Sequence, residues 1–325
     1  MNSVNIGAVV IGRNEGDRLI NCLTSVQPNV QCAIYVDSGS TDGSTQAAER
    51  LGVHVITLNM DEPFTAARAR NEGFLALRKL RPDIELVQFI DGDCELDKKW
   101  LNTAAPFLST RDDLAMVCGR RRERHSSVSV YNRLCDIEWR TPVGQASACG
   151  GDSLVRANAF EAVGGFRTPL IAGEEPELCV RLRERGWKIW RIDAEMTRHD
   201  AAMTRFSQWW LRTVRYGFGM TEVSRLHWSS PFGIWKAELK RAIIWGGLLP
   251  LLIGFAALVH PAALAVTLIY PLQICRIALT RGLRSSDSWA YALFVTLGKF
   301  AEFQGVSKFY WRKLLRQSTE LIEYK

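Results

Sequence analysis

The sequence predicts an α/β fold, a mainly parallel sheet flanked by helices, followed by an apolar, membrane-associated helical region. Three observations carry that prediction. Short β-branched and aromatic runs alternate with helix-length segments through the first 120 residues, the signature of strand–helix–strand units. The run at 86–90 ends in Asp91-Gly92-Asp93, and ligands of open α/β sheets bind beyond the carboxyl ends of strands. Residues 242–259 form an uncharged stretch of 18 residues, close to the length of a membrane span.

The elements follow in order. Residues 7–11 read as the first strand and 17–26 as a helix; 32–36 is a second strand ending at Asp37. Residues 44–51 read as helix, 53–56 as a third strand, 65–80 as helix and 86–90 as a fourth strand. A helix at 98–108 and a strand at 114–118 complete the regular half. From about 128 the pattern is less regular. A helix at 177–185 stops at Gly186, a strand follows at 187–192, and 207–225 is an aromatic, basic helix. The expected domains are 1–228, divided into halves 1–120 and 121–228, and a helical region 229–325.

Apolar content of 47% supports a sizeable core, and the net charge of +7 is moderate. Basic residues concentrate at 205–241 and 276–325, where nucleic acid or an anionic membrane surface are the two partners to weigh. The apolar segment between them favours the membrane, and no nucleic-acid partner is expected. Lys236, Lys240 and Arg241 precede this segment, while Arg276, Arg281 and Arg284 follow it, so both ends are expected in the cytoplasm. A His260-Pro261 break leaves two short spans or a re-entrant or interfacial hairpin as alternatives. Residues 289–300, followed by Lys308, Arg312, Lys313 and Arg316, read as an interfacial basic amphipathic helix. The eight cysteines lack a Cys-X-X-Cys pair, which argues for reduced thiols rather than a zinc site or disulfide framework.

Asp91 and Asp93 are hard oxygen ligands at a strand end, suited to a divalent cation that also holds a substrate phosphate. The Asp37–Ser44 loop, rich in glycine and hydroxyls, lets a ligand approach the backbone, with Asp37 able to accept from a base N–H. The ordinary alternatives are a polar turn and a strand-to-helix connection.

In chain order, Val9-Val10-Ile11-Gly12-Arg13-Asn14-Glu15, the Asp37–Ser44 loop, Ala69-Arg70-Asn71-Glu72-Gly73 and Asp91-Gly92-Asp93 resemble the nucleotide-sugar half of family 2 glycosyltransferases with a GT-A fold. Cys149-Gly150-Gly151-Asp152-Ser153 and Gly173-Glu174-Glu175-Pro176-Glu177-Leu178 resemble the acceptor half. The resemblance covers roughly residues 4–225. It implies a nucleotide-sugar donor, Mn²⁺ or Mg²⁺, and inverting transfer to an acceptor hydroxyl, in the manner of bacterial envelope or exopolysaccharide enzymes. Ile11, Arg13 and Glu15 would line the nucleoside pocket, Asp37 would meet the base, and Arg70 would approach the diphosphate or help shape its pocket. Asp91, with Gly92, would hold the donor and Asp93 would ligate the metal. Glu175, the second member of an acidic pair usually written Glu-Asp, is the expected general base, with Glu174 or Asp152 as alternatives. His199 is a second metal-ligand candidate, a structural histidine being the alternative.

The run Arg120-Arg121-Arg122-Glu123-Arg124 offers either contact with a lipid phosphate or ordinary surface charge. Gln208-Trp209-Trp210-Leu211-Arg212 only faintly resembles the element of processive members, and its order departs from it. The expected acceptor is a lipid-linked glycan, and the expected location the inner membrane with a cytoplasmic catalytic domain. Two other classes share these features: a sugar-phosphate nucleotidyltransferase and a noncatalytic sugar-nucleotide-binding membrane scaffold.

Overall fold

The computed structural model describes residues 4–316. The chain forms two compact units, Met1–Ser126 with Cys135–Ala202, and Ser127–Leu134 with Met203–Lys325. The boundary expected at 228 therefore falls near 203. The helix after it packs on the C-terminal helix, with Trp209 4.8 Å from the Phe294 ring. Residues 317–325 of the expected C-terminal region lie outside the described residues.

The first unit holds strands β1 (Ile6–Gly12), β2 (Cys32–Asp37), β3 (His54–Thr57), β4 (Leu86–Asp91), β5 (Cys94–Leu96), β6 (Leu114–Glu123), β7 (Gly144–Ala146), β8 (Ser153–Arg156) and β9 (Lys188–His199). Their order is β3-β2-β1-β4-β8-β6-β9-β5, with β7 on β9. The first four strands are parallel, as the alternating pattern predicts. Beyond β4 the sheet is mixed: β8 runs antiparallel to both β4 and β6, while β6 and β9 are parallel. The strands β1 and β4 flank the point where the chain order reverses, which is where ligands of open sheets bind.

Helices α1 (Asp17–Val26), α2 (Ser44–Arg50), α3 (Ala66–Leu80) and α4 (Trp100–Ser109) connect these strands, and α5 (Val130–Glu138), α6 (Ala157–Ala162) and α7 (Glu174–Glu184) follow. Val9, Val10, Val36, Phe89 and Ile90 are fully buried, as continuous apolar strands require in a sheet covered on both faces. Gly73 lets α3 lie close on that sheet, since a Cβ there would stand 2.4 Å from a Val9 methyl.

β6 continues to Glu123, five residues past its expected end, because the charged run pairs with β9 through Glu123↔His199. Sequence periodicity misses β5, β7, β8, α5 and α6. These are elements of three to nine residues, too short to establish a period.

In the second unit, α8 (Phe206–Leu226), α9 (Lys236–Ile243), α10 (Leu249–Val259), α11 (Ile269–Arg281) and α12 (Ser286–Leu314) are joined by a π-helical turn at Ile244–Leu248 and a 3₁₀ segment at Pro261–Leu268. The stretch read as a short interfacial helix lies in the first half of the 29-residue α12. Helices α8 and α12 cross at glycines: a Cβ on Gly217 would meet Glu302 O at 2.3 Å, and one on Gly305 would meet Val214 O at 2.2 Å.

Lys236–Val259 and Pro261–Arg281 form helical stretches of 24 and 21 residues whose most apolar 18-residue windows have mean hydropathy 2.3 and 1.7, long and apolar enough to cross a membrane. Both are longer than the uncharged sequence pieces alone because helix continues into their basic flanks. Only 22% and 6% of their most apolar windows are buried, and Leu251, Phe255, Leu258 and Leu272 point outward. Apolar surface of this extent asks for lipid or protein around it.

Replacing Gly305 by Leu puts side-chain atoms where the α8 backbone stands. We predict a loss of about 2–5 kcal/mol, the range for severe overpacking and backbone displacement, read as a lower melting temperature of the purified chain. Gly254→Ala, at a helical position with open space around it, is the control and leaves the melting temperature unchanged or raised.

Candidate active site

The strand ends of the first unit bring the predicted residues into one row. Register sets the spacing: Gly12 lies beside Asp37, Ile11 beside Asp91, and Cys94 beside His199, which also pairs with Glu123. Antiparallel β4–β8 pairing, with Phe89↔Ser153, carries the Gly151-Asp152 turn over Asp91.

Asp91 is held at both oxygens. Arg70 Nη2 lies 2.8 Å from Oδ1, and Arg121 Nη2 lies 3.1 Å from Oδ2. Burial disfavours this carboxylate's charge, but the two guanidinium groups outweigh it and hold its pKa below the usual value. Arg70, placed on the buried face of α3, also meets Glu174 at 2.8 Å and Glu175 at 2.9 Å through Nη1. The neighbouring Asn71 fastens the opposite loop by a pair of hydrogen bonds with the Phe166 backbone. The Arg-Asn pair of the motif thus links the two halves of the unit.

Arg70 is 2% exposed and encircled by carboxylates, a position from which it shapes the pocket wall. Its own charge is opposed by burial and secured by Glu175, Asp91 and Glu174, which raise its pKa.

Glu174 and Glu175 begin α7, whose N-cap Gly173 adopts a left-handed conformation (φ 83°). Glu174 is buried, whereas Glu175 retains 13% side-chain exposure and is the accessible member of the pair. Burial, and then repulsion from Glu174, raise the Glu175 pKa to about 7, against the pull of Arg70. Asp152 is not a comparable base. Its oxygens receive the Asp91 amide at 3.2 Å and the Thr197 hydroxyl at 2.6 Å, and Arg121 Nε stands 3.1 Å away. It is a buried brace for the Asp91 turn.

Asp93 Oδ2 lies 3.3 Å from His199 Nε2, and His199 Nδ1 lies 3.4 Å from Glu123 Oε2. Burial lowers the histidine's proton affinity, but Asp93 and Glu123 reverse this and the net shift is upward. A carboxylate and an imidazole, with a second carboxylate behind the ring, is the arrangement by which proteins orient a metal-binding histidine. The donor set therefore fits Mn²⁺ or Mg²⁺. Cys94 Sγ is also near, but burial raises its pKa well above the ordinary thiol value and keeps it protonated, a poor ligand for a hard cation.

Toward β1 and β2, two loops are tied together. Asn14 (φ 54°) accepts from the Thr41 amide at 2.7 Å and donates its own amide to Ser40 Oγ at 2.9 Å. Asp37 accepts from Tyr35 Oη and from the amides of Gly39 and Ser40. Ile11 is buried beside them, Arg13 stacks 4.8 Å over Phe64, and Glu15 pairs with Arg18 at 2.7 Å. Gly92 is buried with its amide on Ile11 O.

Arg121, Glu123, Thr197 and Trp139 carry parts of this site that the sequence did not single out. Strand alternation was the available signal in 120–124. Arg121 and Glu123 point inward, while Arg120, Arg122 and Arg124 pair with Asp193, Glu195 and Glu95. The run is therefore not a lipid-phosphate patch. Trp139 lies under the Arg121 guanidinium at 5.2 Å and edge-on to His199 at 4.9 Å.

Arg121→Met leaves the buried Asp152 without its guanidinium and Asp91 with Arg70 alone. We predict destabilisation of about 3–5 kcal/mol by denaturant unfolding, as for a broken buried ion pair. Gly151→Ala places a Cβ 2.8 Å from Asp91 Oδ2 and 3.2 Å from Glu175 Oε1. We predict a folded protein whose donor turnover falls about 100-fold through misplacement of these groups.

Residues 8–148 match the family model described as glycosyl transferase family 2. A pre-mycofactocin glycosyltransferase of Mycobacterium tuberculosis is 24% identical over 226 residues, covering 65% of this chain and 46% of that protein. The O-antigen chain rhamnosyltransferase WbaN of Salmonella anatum is 25% identical over 182 residues, covering 51% and 56% respectively. The chain thus spans about half the length of the curated relatives it matches. Among solved structures, the mannosyltransferase PcManGT from Pyrobaculum calidifontis, in complex with GDP-Man and Mn²⁺, superposes with a TM-score of 0.67 at 16% identity, covering 96% of this chain and 89% of that one. TarS residues 1–349 of S. aureus give 0.52 at 13% identity, covering 95% and 92%. These structural likenesses are likenesses of fold. Residues 8–148, somewhat under half of the chain, thus match the family model, and the solved structures share its GT-A-like mixed sheet.

Proposed function

We propose that this protein transfers a sugar from a nucleoside-diphosphate donor to an acceptor hydroxyl, with inversion at the anomeric carbon. The observation that carries this reading is the Arg70 bridge, which sets Glu175 of the acceptor half beside Asp91 at the end of β4. The nucleoside lies over the strand ends of β1 and β2, against Ile11, Arg13, Glu15 and Asp37. Asp91, fixed by two arginines, and the Gly92 turn position the donor. Asp93 and His199 would hold Mn²⁺ or Mg²⁺, which would supply positive charge against the negative charge developing on the departing diphosphate.

Glu175 Oε accepts the proton of the acceptor hydroxyl. That oxygen bonds to the anomeric carbon from the face opposite the diphosphate, whose bond to the sugar breaks with the electron pair leaving on its oxygen. A carboxylate tuned to about 7 is an efficient base near neutrality. The same chain carries two apolar helical stretches flanked by basic residues, which supports an acceptor held in a membrane, a lipid-linked glycan, and a site on the cytoplasmic side of the inner membrane. The similarity of WbaN, an O-antigen rhamnosyltransferase, is in keeping with glycan assembly.

The test is a panel of UDP- and GDP-sugars with Mn²⁺ or Mg²⁺ and membrane lipid extract, reading nucleoside-diphosphate release. Asp93→Ala is expected to abolish metal-dependent release. Glu175→Gln is expected to lower transfer about 10²–10⁴-fold while donor binding persists. Because the base works ionised, kcat is expected to rise with pH through about 7 and then level off, and Glu175→Gln loses that limb. Pyrophosphate as the product, or release that needs no metal, overturns the proposal.

A further inference from the structure

A second candidate binding site lies between α8 and α12, at the ends where both helices finish. A cleft of about 380 Å³ is lined by Phe218, Glu222, Arg225, Leu226, Phe309, Arg312 and Lys313. That volume is in the range of small-ligand sites, about 300–1,000 Å³. Its lining is divided by chemistry: Phe218, Phe309 and Leu226 are apolar, while three cationic side chains stand against one carboxylate.

The guanidinium groups are held in place. Arg312 stacks 5.6 Å over Phe218, and Arg225 lies 5.4 Å over Tyr310 while donating to its hydroxyl at 3.2 Å. Large amphipathic and apolar side chains are exposed nearby in sequence: Leu226 and Trp228 after α8, and Tyr310, Trp311, Leu314 and Leu315 at the end of α12. Tryptophan and tyrosine at such a margin, with arginine and lysine, mark segments that lie at the level of lipid headgroups.

We propose that this cleft binds the phosphate headgroup of an anionic membrane phospholipid, with Arg225, Arg312 and Lys313 on the phosphate and Phe218, Phe309 and Leu226 against the glycerol and upper acyl chain. The proposal rests on the reading that the apolar stretches of the same unit enter a bilayer. The basic residues also face the carbonyl ends of α8 and α12, but capping those ends calls for no cleft between them.

The experiment is flotation of the purified full-length chain with phosphatidylcholine vesicles, with and without phosphatidylglycerol, at physiological salt. The expected result is binding to both, tighter when phosphatidylglycerol is present. Each of Arg225→Gln and Arg312→Gln should reduce that preference roughly fivefold, the effect of one cation at an anionic surface. Arg225→Lys with Arg312→Lys should retain most of it, and circular dichroism checks that all variants fold. Binding to both vesicles without a preference, or a preference untouched by the glutamine variants, overturns the headgroup site and leaves membrane association standing. Loss of the preference in millimolar inorganic phosphate at constant ionic strength overturns the lipid in favour of a free anion. Failure to float with either vesicle overturns both this proposal and the membrane reading beneath it, while leaving the transfer chemistry to its own assay.

Discussion

The ion pairs around Asp91 join the two halves of the first unit at the site. One oxygen is gripped by Arg70 and the other by Arg121. Through Arg70 the carboxylate is coupled to Glu174 and Glu175 on α7; through Arg121 it is coupled to Asp152 before β8. Buried charges of one sign cannot accumulate without partners, because desolvation of each ion costs several kcal/mol. Two arginines and a histidine therefore have to accompany the carboxylates that the chemistry needs. Their placement dictates where the loops bearing those carboxylates run.

The same electrostatics divide the carboxylates by role. Asp91 is kept ionised by two cations. Asp152 is fully engaged by an amide, a hydroxyl and a guanidinium. Glu175 shares its one cation with Glu174, and burial, with repulsion from that neighbour, raises its pKa to about 7. Separation of proton affinities among neighbouring carboxylates is how one pocket keeps some charges fixed and one in play.

Much of this was legible in the sequence, and the unread parts have physical causes. Strands β1, β2 and β4 are buried on both faces, and their apolar runs end at the residues that form the site, so Gly12, Asp37 and Asp91 could be placed in advance. Arg70, Asn71 and Gly73 were legible as a motif, but not their work. Gly73 lets the helix sit on the sheet, Asn71 fastens a loop 95 residues away, and Arg70 bridges carboxylates of both halves. Arg121 was hidden in a run of arginines whose inward and outward members separate only once β6 is known to continue to Glu123. The hairpin's span length was underestimated because charged residues at its flanks are helical too.

Asp37 is 1% exposed, with Tyr35 Oη on one oxygen and two backbone amides on the other. A carboxylate has about four lone-pair directions, so its own loop already occupies three of them. Under the proposed function, a nucleobase arriving there would find room for a single donor, worth about 0.5–3 kcal/mol. Reading one base from another at this position would then be a matter of one hydrogen bond, and finer discrimination would fall to the shape of the surrounding walls. The compensation is rigidity: the loop is already ordered by its own hydrogen bonds, so little binding energy is lost in ordering it when the ligand arrives.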